Sequence, residues 1–365
     1  MKTWTIDNDL EYTFSKLNAK DKEKLSGSKI LITGASGFLG QYYLRFFEKY
    51  FNAFGLRKVI CLDNYLLGKA PIVNMLEGDP RFVIQKFDVA YDTLQSIEKD
   101  VEDVDYVFHL ASIASPIHYR KYPLETIDSN VTGLRNMLEY YKNKKLKGFL
   151  YYSSSEIYGN PSDDMVPTKE EYHGDVPTIG PRACYDESKR MCETLSYVYS
   201  EYFGMPLRVV RLFNVFGPGL KLNDYRVASD FARMIKNNEN IEVLSNGTPT
   251  RTFCYVADSV VGEIKALLYD KFDYFNIGID DEEISMLELA QRFKDVAKKI
   301  NGYSKDIVFK VSPDKHYLTH NPQRRGPDLV KAKELLNYQP TIKLNEGIFR
   351  YLSFVISSDY SDLEW

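Results

Sequence analysis

Six short apolar runs recur between residues 30 and 212, separated by polar turns or by stretches of helical spacing. Ile30-Leu31-Ile32 is the first, followed by a glycine loop and by Phe38 to Tyr50, where apolar residues fall at helical intervals. Val59 to Leu62 (ending in Asp63), Phe82 to Ile84 (ending near Asp88), Tyr106 to Leu110, Gly148 to Tyr152 and Leu207 to Leu212 complete the series. Runs this short, apolar at consecutive rather than alternate positions, predict strands buried on both faces. Helical stretches around 124 to 145 and 186 to 203 lie between several of them. The alternation predicts an α/β chain with a Rossmann-type, doubly wound parallel sheet across residues 28–213.

After Asn214 the rhythm loosens. Helices are expected at 226–238, 256–270 and 285–300, with short strands near Ile241 to Leu244 and Ile307 to Phe309. Loops rich in Pro, Asn and Gly separate them, and residues 214–355 read as mainly a smaller substrate-binding lobe with some elements returning to the main sheet. Residues 1–27 read as a helical extension whose Leu10, Tyr12, Phe14 and Leu17 form an apolar face; no chemistry is assigned to it.

With 365 residues, 44% of them hydrophobic, the chain can bury one large domain or two closely packed lobes. Charged residues make up 27% and the net charge is -4, so no strong field recommends nucleic acid or an anionic membrane as partner. The basic run from Lys142 to Lys147 reads as a solvated helix end. The N-terminus is polar from Asp7 to Lys24 and no apolar run is long enough to cross a bilayer, which makes a cytoplasmic location the expectation. Cys61, Cys184, Cys192 and Cys254 lie far apart without CxxC spacing or nearby histidine clusters. That fits a reducing compartment rather than a disulfide framework or a zinc site, and no metal is expected.

Candidate chemistry begins at Gly34, Gly37 and Gly40, a GxxGxxG loop directly after the first strand and opening a helix. A tight strand-to-helix turn needs residues without Cβ clash, and a pyrophosphate must approach backbone N–H groups at the helix N-terminus. Asp63 closes the next strand, where an acid accepts hydrogen bonds from ribose hydroxyls and repels a 2′-phosphate, favouring NAD over NADP. Asp88, at the end of the third strand, is placed to meet adenine. Tyr185 and Lys189 are four apart in a helical segment and share one face. A phenol of ordinary pKa about 10 needs roughly 4 kcal/mol of phenolate stabilisation to act near neutrality; a nearby ammonium and a bound nicotinamide cation are the expected sources. Ser153-Ser154-Ser155-Glu156 ends the fifth strand, where open parallel sheets do their chemistry. A hydroxyl there can hold a substrate oxygen that Tyr185 would deprotonate.

These segments resemble the extended short-chain dehydrogenase/reductase superfamily, in its NAD-dependent epimerase/dehydratase branch. They are TGASGFLG (33–40), LDN (62–64), HLAS (109–112), SSSEIYG (153–159), GPRACYDESKR (180–190), RLFNVFGP (211–218), RTFCYVAD (251–258) and NPQRRGPD (321–328). The likeness runs from about Ser28 to Tyr351 and, within the branch, is strongest to the UDP-glucuronate decarboxylases (UDP-xylose synthases), chiefly through GPRACYDESKR.

The resemblance implies a nucleotide-sugar enzyme in which Tyr185 removes the proton of the sugar 4-hydroxyl while hydride passes to NAD. It implies that Lys189 holds the nicotinamide ribose and that Ser154 bonds the 4-oxygen. Loss of carbon dioxide from the resulting 4-ketone and return of hydride would complete the reaction. An epimerase, a 4,6-dehydratase or a 4-dehydrogenase is the alternative. Ser155-Glu156 matches the decarboxylase pattern, where dehydratases carry Asp-Glu, and both residues are candidate catalytic groups. NAD contacts are implied for Gly34, Gly37, Phe38, Leu39, Gly40, Asp63, Asn64, Asp88, Val89, Leu110, Ala111, Tyr185 and Lys189. Arg226 matches an arginine beside the sugar carboxylate, although the family has Gly where Tyr225 stands here. Asn214, Arg251 and Arg325 match ribose and diphosphate contacts, and Tyr119 and Glu156 match substrate-facing positions. His109 is expected to be packed in its strand, and His118 is left without a role. A homodimer paired through the helix carrying Tyr185 and Lys189 is implied as well.

Overall fold

A computed structural model describes residues 4–365. Its main sheet is seven-stranded and wholly parallel. The strands are β1 (Lys29–Thr33), β2 (Lys58–Asp63), β3 (Phe82–Lys86), β4 (Tyr106–His109), β5 (Gly148–Ser154), β6 (Leu207–Leu212) and a seventh, Tyr274–Ile277. Across the sheet they run seventh, sixth, fifth, fourth, first, second, third. The doubly wound layout is therefore the one predicted. Chain order reverses between β1 and β4, and a cleft opens beyond the carboxyl ends of those two strands.

Consecutive apolar residues make sense in this sheet. Ile30, Ile32, Val59 and Phe108 join the core on one face with Phe46 and Phe47, while Leu31, Ile60 and Val107 join the core on the other with Leu134, Leu138 and Cys192. Each face is sealed by helices, so both sides of a strand are mostly apolar, and the polar residues among them are buried with partners of their own. The seventh strand lies beyond residue 214, so the second part of the chain does contribute to the main sheet.

The predicted helices shift slightly at their ends. The stretch around 124 to 145 is Pro123–Ile127 and Gly133–Tyr141, joined by a wide turn at Asp128–Thr132. The others are Ala183–Phe203, Val227–Lys236, Val256–Leu267 and Met286–Asn301, and Leu344–Ser357 closes the chain's helical part. Lys142 caps the Gly133–Tyr141 helix at its C-terminus and pairs with Glu139 at 2.6 Å. Small sheets build the other lobe: Ile241–Val243 beside Ile307–Phe309, and Thr250–Arg251 between Ile284–Ser285 and Arg324–Arg325.

The N-terminal extension is two helices, α1 (Ile6–Lys16) and α2 (Ala19–Leu25), each entered through a capping box at Thr5 and Asn18. Leu10 and Leu17 are buried, Tyr12 and Phe14 pack beside them, and Phe14 stacks on Tyr50 of α3 (Phe38–Phe54) at 4.0 Å. Asp9 is fully buried as well. It accepts from Tyr255 Oη, from Arg350 Nη1 at 2.7 Å and from Trp4 Nε1 at 3.3 Å. Burial pushes its carboxyl up to about 6 in spite of these partners.

Candidate active site

A cavity of about 730 Å³ begins at the cleft between β1 and β4 and runs on between the sheet and the smaller lobe. Gly34, directly after β1, has φ 69° and carries the turn into α3, whose N-cap is Gly37. A Cβ on Gly34 would lie 2.8 Å from Ala111 N after β4, and one on Gly40 would lie 2.4 Å from Gly34 O. Only glycine fits either place, and the chain can therefore run close to whatever fills the cleft. Phe38, Leu39, Asn64, Asp88, Val89, Leu110 and Ala111 also line this end. We expect Gly34→Ala to weaken NAD binding by about tenfold or more, through displacement of this turn; titration calorimetry reads it, and unchanged affinity would remove the cradle.

Asp63 stands at the end of β2 and lines the same region. Its Oδ2 accepts from Ser36 N–H at 2.9 Å and its Oδ1 from Tyr65 N–H at 2.7 Å, so it splints the glycine loop to the loop that follows β2. Burial pushes its carboxyl up, and these two bonds pull it back. Asn64 Nδ2 donates to Asp88 at 2.8 Å, which steadies the neighbouring wall. The glycine cradle, the α3 N-terminus and the Asp63 carboxylate together fit a dinucleotide.

Tyr185 and Lys189 lie one turn apart on the Ala183–Phe203 helix, both buried and both facing the cavity. Lys189 Nζ donates to the Tyr152 carbonyl at 2.6 Å and lies 5.6 Å from the centre of the Tyr185 ring. Burial pushes this ammonium down to about 8. The protein groups alone do not supply the lowering expected of the phenol. Burial pushes the Tyr185 phenol above its ordinary value, and the pull of a Ser154 hydrogen bond and of Arg226 does not offset it. The reason is desolvation, which penalises a phenolate in a low-dielectric wall before any ligand charge is added. Ser154 ends β5, and its Oγ also accepts Glu156 N–H at 3.2 Å.

Glu156 is clamped. Arg325 holds it bidentately, Nη1 to Oε1 at 2.5 Å and Nη2 to Oε2 at 2.7 Å, and Arg182 Nη2 binds Oε2 as well. Burial works against the charged form, but the two guanidinium groups prevail and hold the carboxyl well below its usual range. Arg325, on the strand paired with Thr250–Arg251, lines the cavity with its guanidinium bonded to Glu156. Arg251, its neighbour in register, bonds only carbonyl and amide oxygens: Thr250 O at 2.7 Å, Pro322 O at 2.7 Å, Gln323 O at 3.2 Å and Asn321 Oδ1 at 3.3 Å. Burial and the Arg325 cation push it down to about 9. Arg251 is thus the cation of the pair without a bonded carboxylate among the described residues.

Arg226 lines the cavity and is held by Asp224, with Nη2 to Oδ2 at 3.1 Å. Tyr225 beside it takes φ 64°, a left-handed conformation in which glycine is at ease, so the loop keeps the geometry of a glycine despite the substitution. Asn214 also lines the cavity, its amide donating to Thr252 O at 3.0 Å. Ser155 lines it too. Tyr119 does not. It is buried with its ring stacked on Tyr185 at 5.1 Å and 13°, because the Pro116–Lys121 helix turns it inward behind the phenol. His109 is packed in β4 as expected, bonded to Thr33 at 3.0 Å and pushed down to about 3 by burial.

Several site residues carried no sequence signal by themselves. Arg182 and Asp186 lie within the GPRACYDESKR segment, and their spacing of four was the available clue. Arg120 and Lys221 line the cavity, and Arg120 bonds Asp314 across it, joining the sheet side to the smaller lobe.

The sequence pattern of the NAD dependent epimerase/dehydratase family matches residues 30–278. UDP-glucuronic acid decarboxylase 6 of Arabidopsis thaliana is 37% identical over 327 residues, 88% of this chain and 87% of that protein. UDP-glucuronic acid decarboxylase 1 of Xenopus tropicalis is 35% identical over 338 residues, 93% of this chain and 73% of that one. Among solved structures, the UDP-glucuronic acid 4-epimerase of Bacillus cereus, in complex with UDP-glucuronic acid and NAD, superposes with a TM-score of 0.72. It is 26% identical, over 90% of this chain and 98% of that one.

Proposed function

Because this chain belongs to the NAD dependent epimerase/dehydratase family, we propose that it is an NAD-dependent enzyme converting UDP-glucuronate to UDP-xylose with loss of carbon dioxide. The observation that carries this reading is one cavity wall at the end of β5. There the phenol of Tyr185, the hydroxyl of Ser154 and the clamped carboxylate of Glu156 converge, with Arg226 on the facing loop. The decarboxylase relatives, alike over most of both chains, support it.

Bound NAD supplies the hydride acceptor for the sugar C4 and gives the hydride back at the end. Tyr185 accepts the proton of the 4-hydroxyl, and Ser154 holds that oxygen in line. The 4-ketone so formed stands β to the C6 carboxylate, so the C5–C6 bond can break with its electron pair passing onto the ketone oxygen. Carbon dioxide leaves, C5 takes up a proton, and Tyr185 returns its proton to the 4-oxygen. Glu156 cannot be a general acid while two guanidinium groups hold it ionised; its part is to fix Arg325 and Arg182 beside the sugar. Arg226 orients the carboxylate, and Arg251 with Asn214 takes the diphosphate. Residues 28–213 would hold NAD and 214–355 mainly the sugar nucleotide.

Incubation with UDP-glucuronate tests the assignment. Carbon dioxide and a UDP-pentose are expected, while recovery of UDP-galacturonate without carbon dioxide would make the enzyme a 4-epimerase, a reading that the Bacillus cereus structural likeness keeps in view.

We further propose a homodimer through the Ala183–Phe203 helix, whose Met191, Tyr197, Tyr202 and Phe203 are exposed apolar groups, with Leu124 exposed on the helix before it. Light scattering should return twice the chain mass, and a monomer at micromolar concentration would refute the pairing. Among the described residues no helix is long and apolar enough to cross a membrane. The four free thiols favour a reducing, cytoplasmic setting, which cell fractionation would check.

A further inference from the structure

The last residues of the chain leave the smaller lobe and reach the loop that follows β2. Leu363 is 1% exposed, and its carbonyl accepts from Leu222 N–H at 3.0 Å. Two positions on, the main chain of Trp365 lies directly against Gly68. A Cβ on Gly68, whose φ is 106°, would stand 2.4 Å from the carbonyl carbon and oxygen of Trp365. Lys221 fastens the two segments together. Its ammonium donates to the Leu67 carbonyl and, at 3.2 Å, to the main-chain oxygen of Trp365, and it lies 5.2 Å from the centre of the indole ring. The indole nitrogen is buried at this junction.

The loop so held belongs to the cofactor end of the cavity. Leu66, Leu67, Gly68 and Lys221 line it. The Gly68 carbonyl accepts from Ser36 Oγ at 3.0 Å, and that hydroxyl accepts in turn from Ala70 N–H at 2.6 Å. Ser36 sits inside the glycine loop and bonds Asp63 through its N–H. Tyr65, at the start of the same loop, has φ 60°, a conformation that a non-glycine residue keeps only under outside constraint. The phosphate loop, the Asp63 carboxylate, the Tyr65–Gly68 loop and the chain's last residues thus form one connected series.

We propose that Leu363–Trp365, fastened by Lys221, form a clip that retains NAD by holding the Tyr65–Gly68 loop against the dinucleotide end of the cavity. Release of the cofactor requires that loop to move, and the clip must lift before it can. Retention suits a reaction in which hydride returns to the sugar in every cycle and the cofactor has no need to exchange. The inference depends on NAD as cofactor and stands whichever sugar is the substrate.

The test uses holoenzyme loaded with NADH, its fluorescence followed after mixing with excess NAD. Trp365→Ala, which keeps Leu363 in the core, is expected to release NADH about tenfold faster. Hydrogen exchange should quicken over residues 64–70, and the melting temperature of the cofactor-free protein should not change. Lys221→Met should reproduce the faster release, and it decides the matter should Trp365→Ala fail to fold. Release within about twofold of wild type, or faster release matched by an equally large fall in cofactor-free melting temperature, overturns the clip.

Discussion

Tyr185→Phe is expected to lower kcat by about 10³-fold, the range for loss of a positioned acid-base group. The ring stacked on Tyr119 is retained, so the wall keeps its shape; what goes is the oxygen proposed to take the substrate proton. NAD affinity should hold, because the glycine cradle and Asp63 lie at the other end of the cavity, and the melting temperature should move little. Transient absorbance of reduced nicotinamide on adding substrate should disappear, since removal of the 4-hydroxyl proton accompanies hydride transfer. A variant that turned over at the wild-type rate would take away the base on which the reaction is built. Burial raises the phenol in the structure as it stands. The fall toward neutrality must therefore come with the ligands, and the basic limb of the kcat/KM profile should move when Lys189 is changed.

Glu156→Gln is expected to cost both stability and rate. The carboxylate neutralises Arg325 and Arg182 in a wall where both are buried. Removing its charge leaves two guanidinium groups facing an amide, a loss of about 3 kcal/mol by comparison with other broken buried pairs. Freed from their anchor, the arginines drift, and misplacement of that order lowers kcat by about 10²-fold. Carbon dioxide release should suffer more than formation of reduced nicotinamide; equal loss of both steps would deny Glu156 a role after oxidation. The pH dependence has a definite sign. Glu156 in the fold lies below its unfolded value of about 4.3. Its stabilisation is therefore complete above that pH and drains away as pH falls from it toward the lower folded value. Acid denaturation curves should show this slope in the wild type and a flatter one in Glu156→Gln.

How far the amino acids foretold this molecule depended on the range of the forces involved. Strands β1 to β6 were legible because burial on both faces demands consecutive apolar residues, and that demand is local. The strand Tyr274–Ile277 was not, because Asn276 interrupts it; its amide is satisfied by Tyr158, Thr168 and Asp328, residues distant in sequence. At the site, the glycine loop, Tyr185, Lys189 and Ser154 stood out by position relative to strand and helix ends. The partners of Glu156 did not, being 26 and 169 positions away. Tyr119 was misread for the same reason: the resemblance matched its position, and only packing decided which way its ring would turn.

Asp9 and Arg350, 341 positions apart, hold each other where the carboxylate is fully buried. During synthesis the acid emerges from the ribosome 341 residues before its cation. Throughout that interval α1 lacks the guanidinium that pairs with Asp9. A nascent chain stalled short of residue 350 would hold α1 by its apolar face, with Asp9 short of its cation.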